Sequence, residues 1–247
     1  FFLAYFLLMP FSVSICLQFA PVSLLMLLSC SALLKWDEKI EKAVTLPVFF
    51  AALGLFTNYF DLLTFPLVSL GFPLVLLLAL RIKRGASGKS LFLLTAFCGC
   101  AFALGYGGMW ALKWVLNGLA WDAFFAVSDQ ISLRASSNGG EISRIGVMME
   151  NLNVILAKKS YLMLLLACGL ITLLPASRAL IAKRGLRMDL RALNVLLPAA
   201  AVCLWYLVMA NHSHDHTYFT YRNAAVMVFS GYACLCLLLR PKRGEDA

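Results

Sequence analysis

Leu91 to Trp110 reads Leu-Phe-Leu-Leu-Thr-Ala-Phe-Cys-Gly-Cys-Ala-Phe-Ala-Leu-Gly-Tyr-Gly-Gly-Met-Trp, with no charged side chain from end to end. About 20 apolar residues in a helix match the roughly 30 Å hydrocarbon core of a bilayer. The stretch predicts a transmembrane helix. Working outward, apolar segments recur at 20–34, 44–58, 64–80, 160–177, 193–210 and 223–239, after a partial one at 1–16. The expectation is therefore all-α: a polytopic transmembrane bundle of seven spans plus an amino-terminal partial span, one domain covering 1–247. Of the 247 residues 62% are apolar and 13% charged, against roughly 25% charged in soluble domains. Mean hydropathy is +0.85. A water-soluble globule is excluded.

The net charge of +9 sorts by position along the chain. The gaps 35–43, 81–90 and 178–192 and the tail 240–247 hold 15 of the 21 Lys and Arg residues. By the positive-inside rule these lie on the cytoplasmic side and place the carboxyl terminus there. The gaps 59–63, 111–159 and 211–222 then face outward. No basic and aromatic interleaving outside the apolar runs suggests a nucleic-acid surface. Phe1 opens the chain without Met, a charged n-region or a cleavage site, so a start partway into a span is expected, with a turn near Gln18–Pro21. All eight cysteines fall in apolar runs and read as core residues. Cys98 and Cys100, like Cys234 and Cys236, are about 200° apart on a helix and cannot converge on one metal.

Segments 44–58 and 64–80 are joined by five residues and predict a tight hairpin, its second arm disturbed by Pro66 and Pro73. The outer segment 111–159 holds two features. Trp114–Val127 is apolar but short and reads as a partly inserted or re-entrant piece. After the Asn138-Gly139-Gly140 turn, Ile142, Ile145, Met149, Leu152 and Leu156 recur at 3/4 spacing and predict an amphipathic surface helix. Arg134, Glu141, Arg144 and Glu150 read as the solvated face of these helices.

Polar residues at membrane depth cost about 2.5–3.5 kcal/mol each on insertion scales, so where they gather points to function. Three groups gather on the outward side. Asn58, Tyr59, Asp61 and Thr64 form the hairpin tip. Lys113 follows Gly105, Gly107, Gly108 and Trp110. The last loop, Asn211 to Arg222, contains all three histidines. Asp61 is either a cap for the helix beginning near Thr64 or an active group, paired with Lys113 or a histidine or orienting an acceptor hydroxyl as acid/base. Lys113 either snorkels to the interface or neutralises a lipid-linked phosphate. His212 and His216 are candidate acid/base groups. Asn211, His214, Tyr221 and Arg222 are candidate ligand contacts, Arg222 as a bidentate clamp. A zinc site from His212, His214 and Asp215 or His216 is the competing reading, weakened by the lack of a second ligand cluster. The glycines suit close helix contact better than a phosphate loop. No cofactor is expected.

These residues carry a resemblance. Phe60-Asp61-Leu62-Leu63-Thr64-Phe65-Pro66, Gly105-Tyr106-x-Gly108-Met109-Trp110-x-x-Lys113-Trp114, and Asn211-His212-Ser213 with His216 and Phe219-Thr220-Tyr221-Arg222 resemble a group of bacterial multispanning proteins. That group is similar in layout to the GT-C class of glycosyltransferases. The resemblance implies a membrane-embedded module in the bacterial cytoplasmic membrane that takes sugar from a polyprenyl-phosphate carrier at the outer face. Its partners would be membrane lipid and the lipid-linked sugar. It further implies a donor phosphate held by Arg222, with Lys113 and a histidine. The acidic residue such enzymes carry in a first outer loop has no counterpart here, so an amino-terminal half preceding Phe1 is expected to supply it. Two other classes compete: a transporter or flippase of an anionic lipid or glycan, and a non-catalytic membrane subunit of a polysaccharide assembly system.

Overall fold

The computed structural model describes residues 13–40, 45–61, 63–121, 126–136, 142–181 and 186–241. In chain order the elements are α1 (Val13–Ile40), α2 (Thr45–Phe60), α3 (Leu67–Lys83), α4 (Gly88–Trp121), α5 (Ala126–Ala135), α6 (Arg144–Leu156), α7 (Lys159–Ile181) and β1 (Leu186–Met188). A 3-10 helix (Leu190–Leu196) leads into α8 (Leu197–Val208), α9 (Ala210–Asp215) and α10 (Thr217–Thr220). A 3-10 turn (Tyr221–Asn223), α11 (Ala224–Leu238) and β2 (Leu239–Pro241) follow. The helical bundle expected from the sequence forms, with one addition, an antiparallel ladder pairing Arg187 with Arg240.

Four stretches among the described residues are long and apolar enough to cross a membrane: Gly88–Trp121, Lys159–Ile181, Leu190–Val208 and Thr217–Leu238. Among the described residues the expected seven spans are thus corrected to four. Length is the reason for Thr45–Phe60, which is apolar but only 16 residues long. Sixteen residues rise about 24 Å, less than a hydrocarbon core of roughly 30 Å. α3 departs differently. Val68 to Val75 are all buried, because α1, α2, α4, α8 and α11 pack around it. A helix enclosed on every side by protein has no face left for lipid.

Two local expectations also give way. No turn breaks the chain at Gln18–Pro21, because α1 continues through Pro21. α4 runs unbroken to Trp121, so the part of the supposed re-entrant piece from Trp114 to Trp121 is an extension of the same helix. Its 34 residues rise about 51 Å, more than a bilayer core, which carries Lys113 and Trp114 to one end of the bundle. The Asn138-Gly139-Gly140 turn lies outside the described residues.

Small residues bring α2 and α4 together. A Cβ on Gly54 would stand 2.1 Å from the Phe102 carbonyl oxygen, and one on Gly105 would stand 1.9 Å from that of Ala51. Neither position admits a side chain. Gly107 and Gly108 have open space beside them, so the close-contact reading holds for Gly105 and not for its two neighbours. Thr57 on α2 and Ser69 on α3 share a buried 2.7 Å hydrogen bond, which ties the two arms together near the hairpin tip.

The bundle has two unlike ends. At one, Arg191 forms a 2.7 Å ion pair with Asp189 and donates 3.0 Å to the Ala86 carbonyl, drawing together the basic segments after α3 and before α8. At the other lie the 61–66 turn, α5, α6 and α9. Between them Leu104, Met163 and Leu170 are 69–75% exposed. Large apolar side chains so placed are what a membrane protein presents to lipid. Cys100 and Cys236 also face outward while Cys98 and Cys234 are buried, so the all-core reading of the cysteines is corrected for the outer member of each pair.

The surface helix is real but rotated. α6 buries Val147, Asn151 and Ile155, while Ile145, Met149 and Leu156 of the expected stripe are exposed. The buried polar Asn151 decides the register. Its amide donates to Ser213 O at 3.2 Å and its carbonyl oxygen accepts from Thr220 Oγ1 at 2.7 Å, tying α6 to the last loop.

Candidate functional site

The turn after α2 is built around one carboxylate. Asp61 Oδ1 accepts from the Thr64 and Phe65 amides and from the Thr64 hydroxyl, an Asx-type arrangement that satisfies amides just ahead of α3. Asn223 Oδ1 receives the Leu67 amide at 3.2 Å, so a residue 156 positions away helps start the helix. The cap read for Asp61 is thus corrected: the helix begins at Leu67 with Pro66 at its N-cap and no side-chain cap, and one Asp61 oxygen closes the turn ahead of it instead. The other, Oδ2, is buried without a hydrogen-bond partner. Asp61 is 5% exposed, and this burial pushes its carboxyl up to about 6, outweighing the hydrogen bonds that oppose the shift.

That carboxylate lines a cavity of about 300 Å³ together with Asn58, Leu63, Trp110, Lys113, Trp114, Asn117 and Arg134. Lys113 reaches it from α4. Its Nζ donates to the Asn58 carbonyl at 2.6 Å and to that of Tyr59 at 3.4 Å, serving free carbonyls at the end of α2. Snorkelling and ligand binding are compatible here, because an ammonium has three donors and two suffice for the carbonyls. Arg134, on α5, adds a second cation. Asn58 Oδ1 is a further buried atom without a partner.

A second cavity of about 270 Å³ adjoins the first and shares Leu63, Trp110 and Arg134 with it. Tyr106, Gly107, Ile131, Ala135, Trp205, Val208 and Met209 complete its lining. One chamber thus brings together a carboxylate, two cations and two tryptophans, and the other is almost wholly apolar.

The histidine and arginine loop is arranged otherwise. None of Asn211, His212, His214, His216, Tyr221 and Arg222 appears among the described lining of either cavity. His212 Nε2 lies 2.8 Å from Leu63 O; a carbonyl only accepts, so this nitrogen carries the proton. Burial holds the His212 imidazole below its usual value, with smaller contributions from His216 and Arg134, while the Leu63 carbonyl opposes. Asn211 Nδ2 donates to Leu133 O at 2.9 Å. His216 sits edge-on to His212 at 4.7 Å. His214 Nδ1 meets Glu150 Oε2 at 3.0 Å on the surface, so Glu150 is paired across to α9 as well as solvated.

Arg222 departs furthest from its expected role. It is 5% exposed, donates to the Tyr218 carbonyl at 2.7 Å, and lies 4.8 Å from the centre of the Tyr221 ring. Lys158 approaches the same ring at 6.0 Å. The guanidinium expected to clamp phosphate is directed here at the protein's own carbonyl and ring. Among the described residues no group of three or more His, Cys, Asp or Glu side chains is placed to hold a metal ion.

Two lining residues escaped the sequence reading. The sequence pattern gives Arg134 to a solvated face, because nothing in it distinguishes Arg134 from Arg144, which instead donates to the Leu207 and Ala135 carbonyls. Asn117 was not singled out at all. The helical spacing of Trp110, Lys113, Trp114 and Asn117 at 3/4 intervals was the available signal. Comparison with family models, curated proteins and solved structures finds no match to this chain.

Proposed function

We propose that the chain is a membrane-embedded transferase module that takes a glycosyl group from a prenyl-phosphate carrier, the reaction centred on Asp61, Lys113 and Arg134. The observation that carries the reading is the unpaired, buried Oδ2 of Asp61, a residue that lines a chamber with two cations and two tryptophans. A carboxyl near 6 is mostly ionised at neutral pH and can accept a proton from an acceptor hydroxyl. The hydroxyl oxygen then bonds to the anomeric carbon as the carbon–oxygen bond to the carrier phosphate breaks. The departing phosphate keeps the electron pair, and Lys113 and Arg134 take up its charge. Trp110 and Trp114 supply apolar faces for the sugar ring.

The adjoining apolar chamber suits the first isoprene units of the carrier, since Arg134 stands at the wall common to both. An amphiphile with an anionic head needs that juxtaposition. The basic segments gathered by Arg191 would face the cytosol, leaving the Asp61 end and both chambers on the outer side.

The test is binding and turnover in nanodiscs containing a short-chain prenyl phosphate. Lys113→Ala and Arg134→Ala should each weaken binding about ten- to hundredfold, the value of one charge-assisted hydrogen bond. Asp61→Asn should bind the carrier yet fail to transfer sugar. Binding by all three at the unaltered affinity sinks the reading; binding without transfer by the unaltered protein points instead to a carrier-binding subunit.

A further inference from the structure

Leu63 is the only non-glycine among the described residues with a positive φ, 67°. A leucine pays a steric penalty for that left-handed conformation because its Cβ crowds the following carbonyl. Such a residue stays there only where its surroundings hold it. It lies between Asp61 and Thr64, the two ends of the turn that aims the carboxylate, and itself lines both cavities.

What holds it comes from the far end of the sequence. His212 Nε2 donates to the Leu63 carbonyl at 2.8 Å, and the preceding residue, Asn211, donates to Leu133 O at 2.9 Å. Leu133 is next to Arg134. Two consecutive residues of α9 therefore grip, by one hydrogen bond each, the backbone beside Asp61 and the backbone beside Arg134. The grip is anchored from behind, because Asn151 donates to Ser213 O and is itself held by Thr220.

We propose that Asn211 and His212 form a positioning bracket, outside both cavities, that locks the strained Leu63 turn and sets the separation between the Asp61 carboxylate and the Arg134 guanidinium. His212 and Asn211 are then positioning residues and touch no substrate. The inference rests on the functional reading only for what the spacing serves; the bracket itself is a claim about the ligand-free protein.

Its first readout is accordingly taken without ligand: the titration midpoint of Asp61, followed by carboxyl-selective 13C NMR and assigned with Asp61→Asn. The other titratable groups around that carboxyl are Tyr106 and Lys113 of α4, Arg134 of α5 and, behind Leu63, His212 itself. His212→Phe keeps the ring and loses the donor. It should release the turn, hydrate the carboxyl and lower the midpoint toward the ordinary value near 3.9. His212→Gln, whose amide can donate in the same direction, should keep the midpoint. In a Leu63→Gly background, where the positive φ costs nothing, His212→Phe should move it less.

The second readout is binding of a short-chain prenyl phosphate in nanodiscs. His212→Phe should weaken it about tenfold, as for one misplaced charge-assisted contact, and His212→Gln should restore it. Equal midpoints in His212→Phe and the unaltered protein overturn the bracket, as does a His212→Gln variant no better than His212→Phe. Should the midpoints behave as expected while no variant and no unaltered protein binds prenyl phosphate, the bracket stands and the functional reading falls. Because Gln and Phe both fill the histidine site, failure of a His212→Ala variant to fold would not remove the comparison.

Discussion

The Asp61 chamber and the Tyr221–Arg222 cluster lie at the same end of the bundle, and each puts cations beside aromatic rings. They differ in where unpaired polar atoms stand: those of the 211–223 segment, Asn211 Oδ1, Ser213 Oγ and Asn223 Nδ2, belong to residues outside the described lining of both cavities. Around Arg222 the cation is turned onto the protein's own carbonyls and rings. Among the residues lining the chamber, Asp61 Oδ2 and Asn58 Oδ1 remain unpaired, and Lys113 and Arg134 share that lining. Density of polar residues alone does not mark a site; unspent hydrogen-bonding capacity next to an opening does.

The comparison breaks most directly at Arg222. Arg222→Ala removes charge-assisted hydrogen bonds and the contact with Tyr221, and should lower stability by about 3–5 kcal/mol, read as a lower melting temperature in detergent. The fraction that remains folded should bind prenyl phosphate unchanged; a specific loss of affinity without loss of stability would make Arg222 a ligand contact after all.

Asp61 sharpens it through pH. Its folded carboxyl value is raised above the unfolded one, so the group favours the folded state at low pH, and that contribution is lost as pH rises from about 4 to about 6. Raising the carboxyl from its ordinary value to about 6 corresponds to about 3 kcal/mol. Asp61→Asn should therefore flatten the stability profile over this window, measured by thermal melts at several pH values. An unchanged profile would mean that the carboxyl is hydrated.

Gly105 tests the scaffold under the chamber alone. Gly105→Ala forces its Cβ against the Ala51 carbonyl and should cost about 1–3 kcal/mol while moving Lys113 away from the end of α2. Fluorescence of Trp110 and Trp114 would report the shift, and the Arg222 cluster should not respond. Smallest is His214→Ala. The His214–Glu150 pair is about half exposed on both sides, where such pairs contribute about 0–1 kcal/mol, so neither stability nor binding should move measurably.

Lys113 and Trp110 were legible beforehand because a span rich in glycine and ending in Trp, Lys and Trp has few readings. Arg134 was not, since its role depends on α5 packing against α9, far later in the chain. The α6 stripe failed for a related reason: apolar spacing selected Ile145 and Met149, whereas a buried hydrogen-bond network selected Asn151, and polar burial is invisible to a hydrophobicity pattern.

Composition and apolar run length by themselves determined that the chain is a helical membrane protein, because a lipid solvent requires the backbone to bond within each helix and the side chains to be apolar. They also placed the polar residues at one end. Which helices are long enough to span, which is enclosed by its neighbours, which cation is spent on carbonyls and which faces a cavity were decided only by tertiary structure. Those outcomes depend on contacts between residues far apart in the chain, such as His212 with Leu63 across 149 positions, and no local pattern records such a pairing.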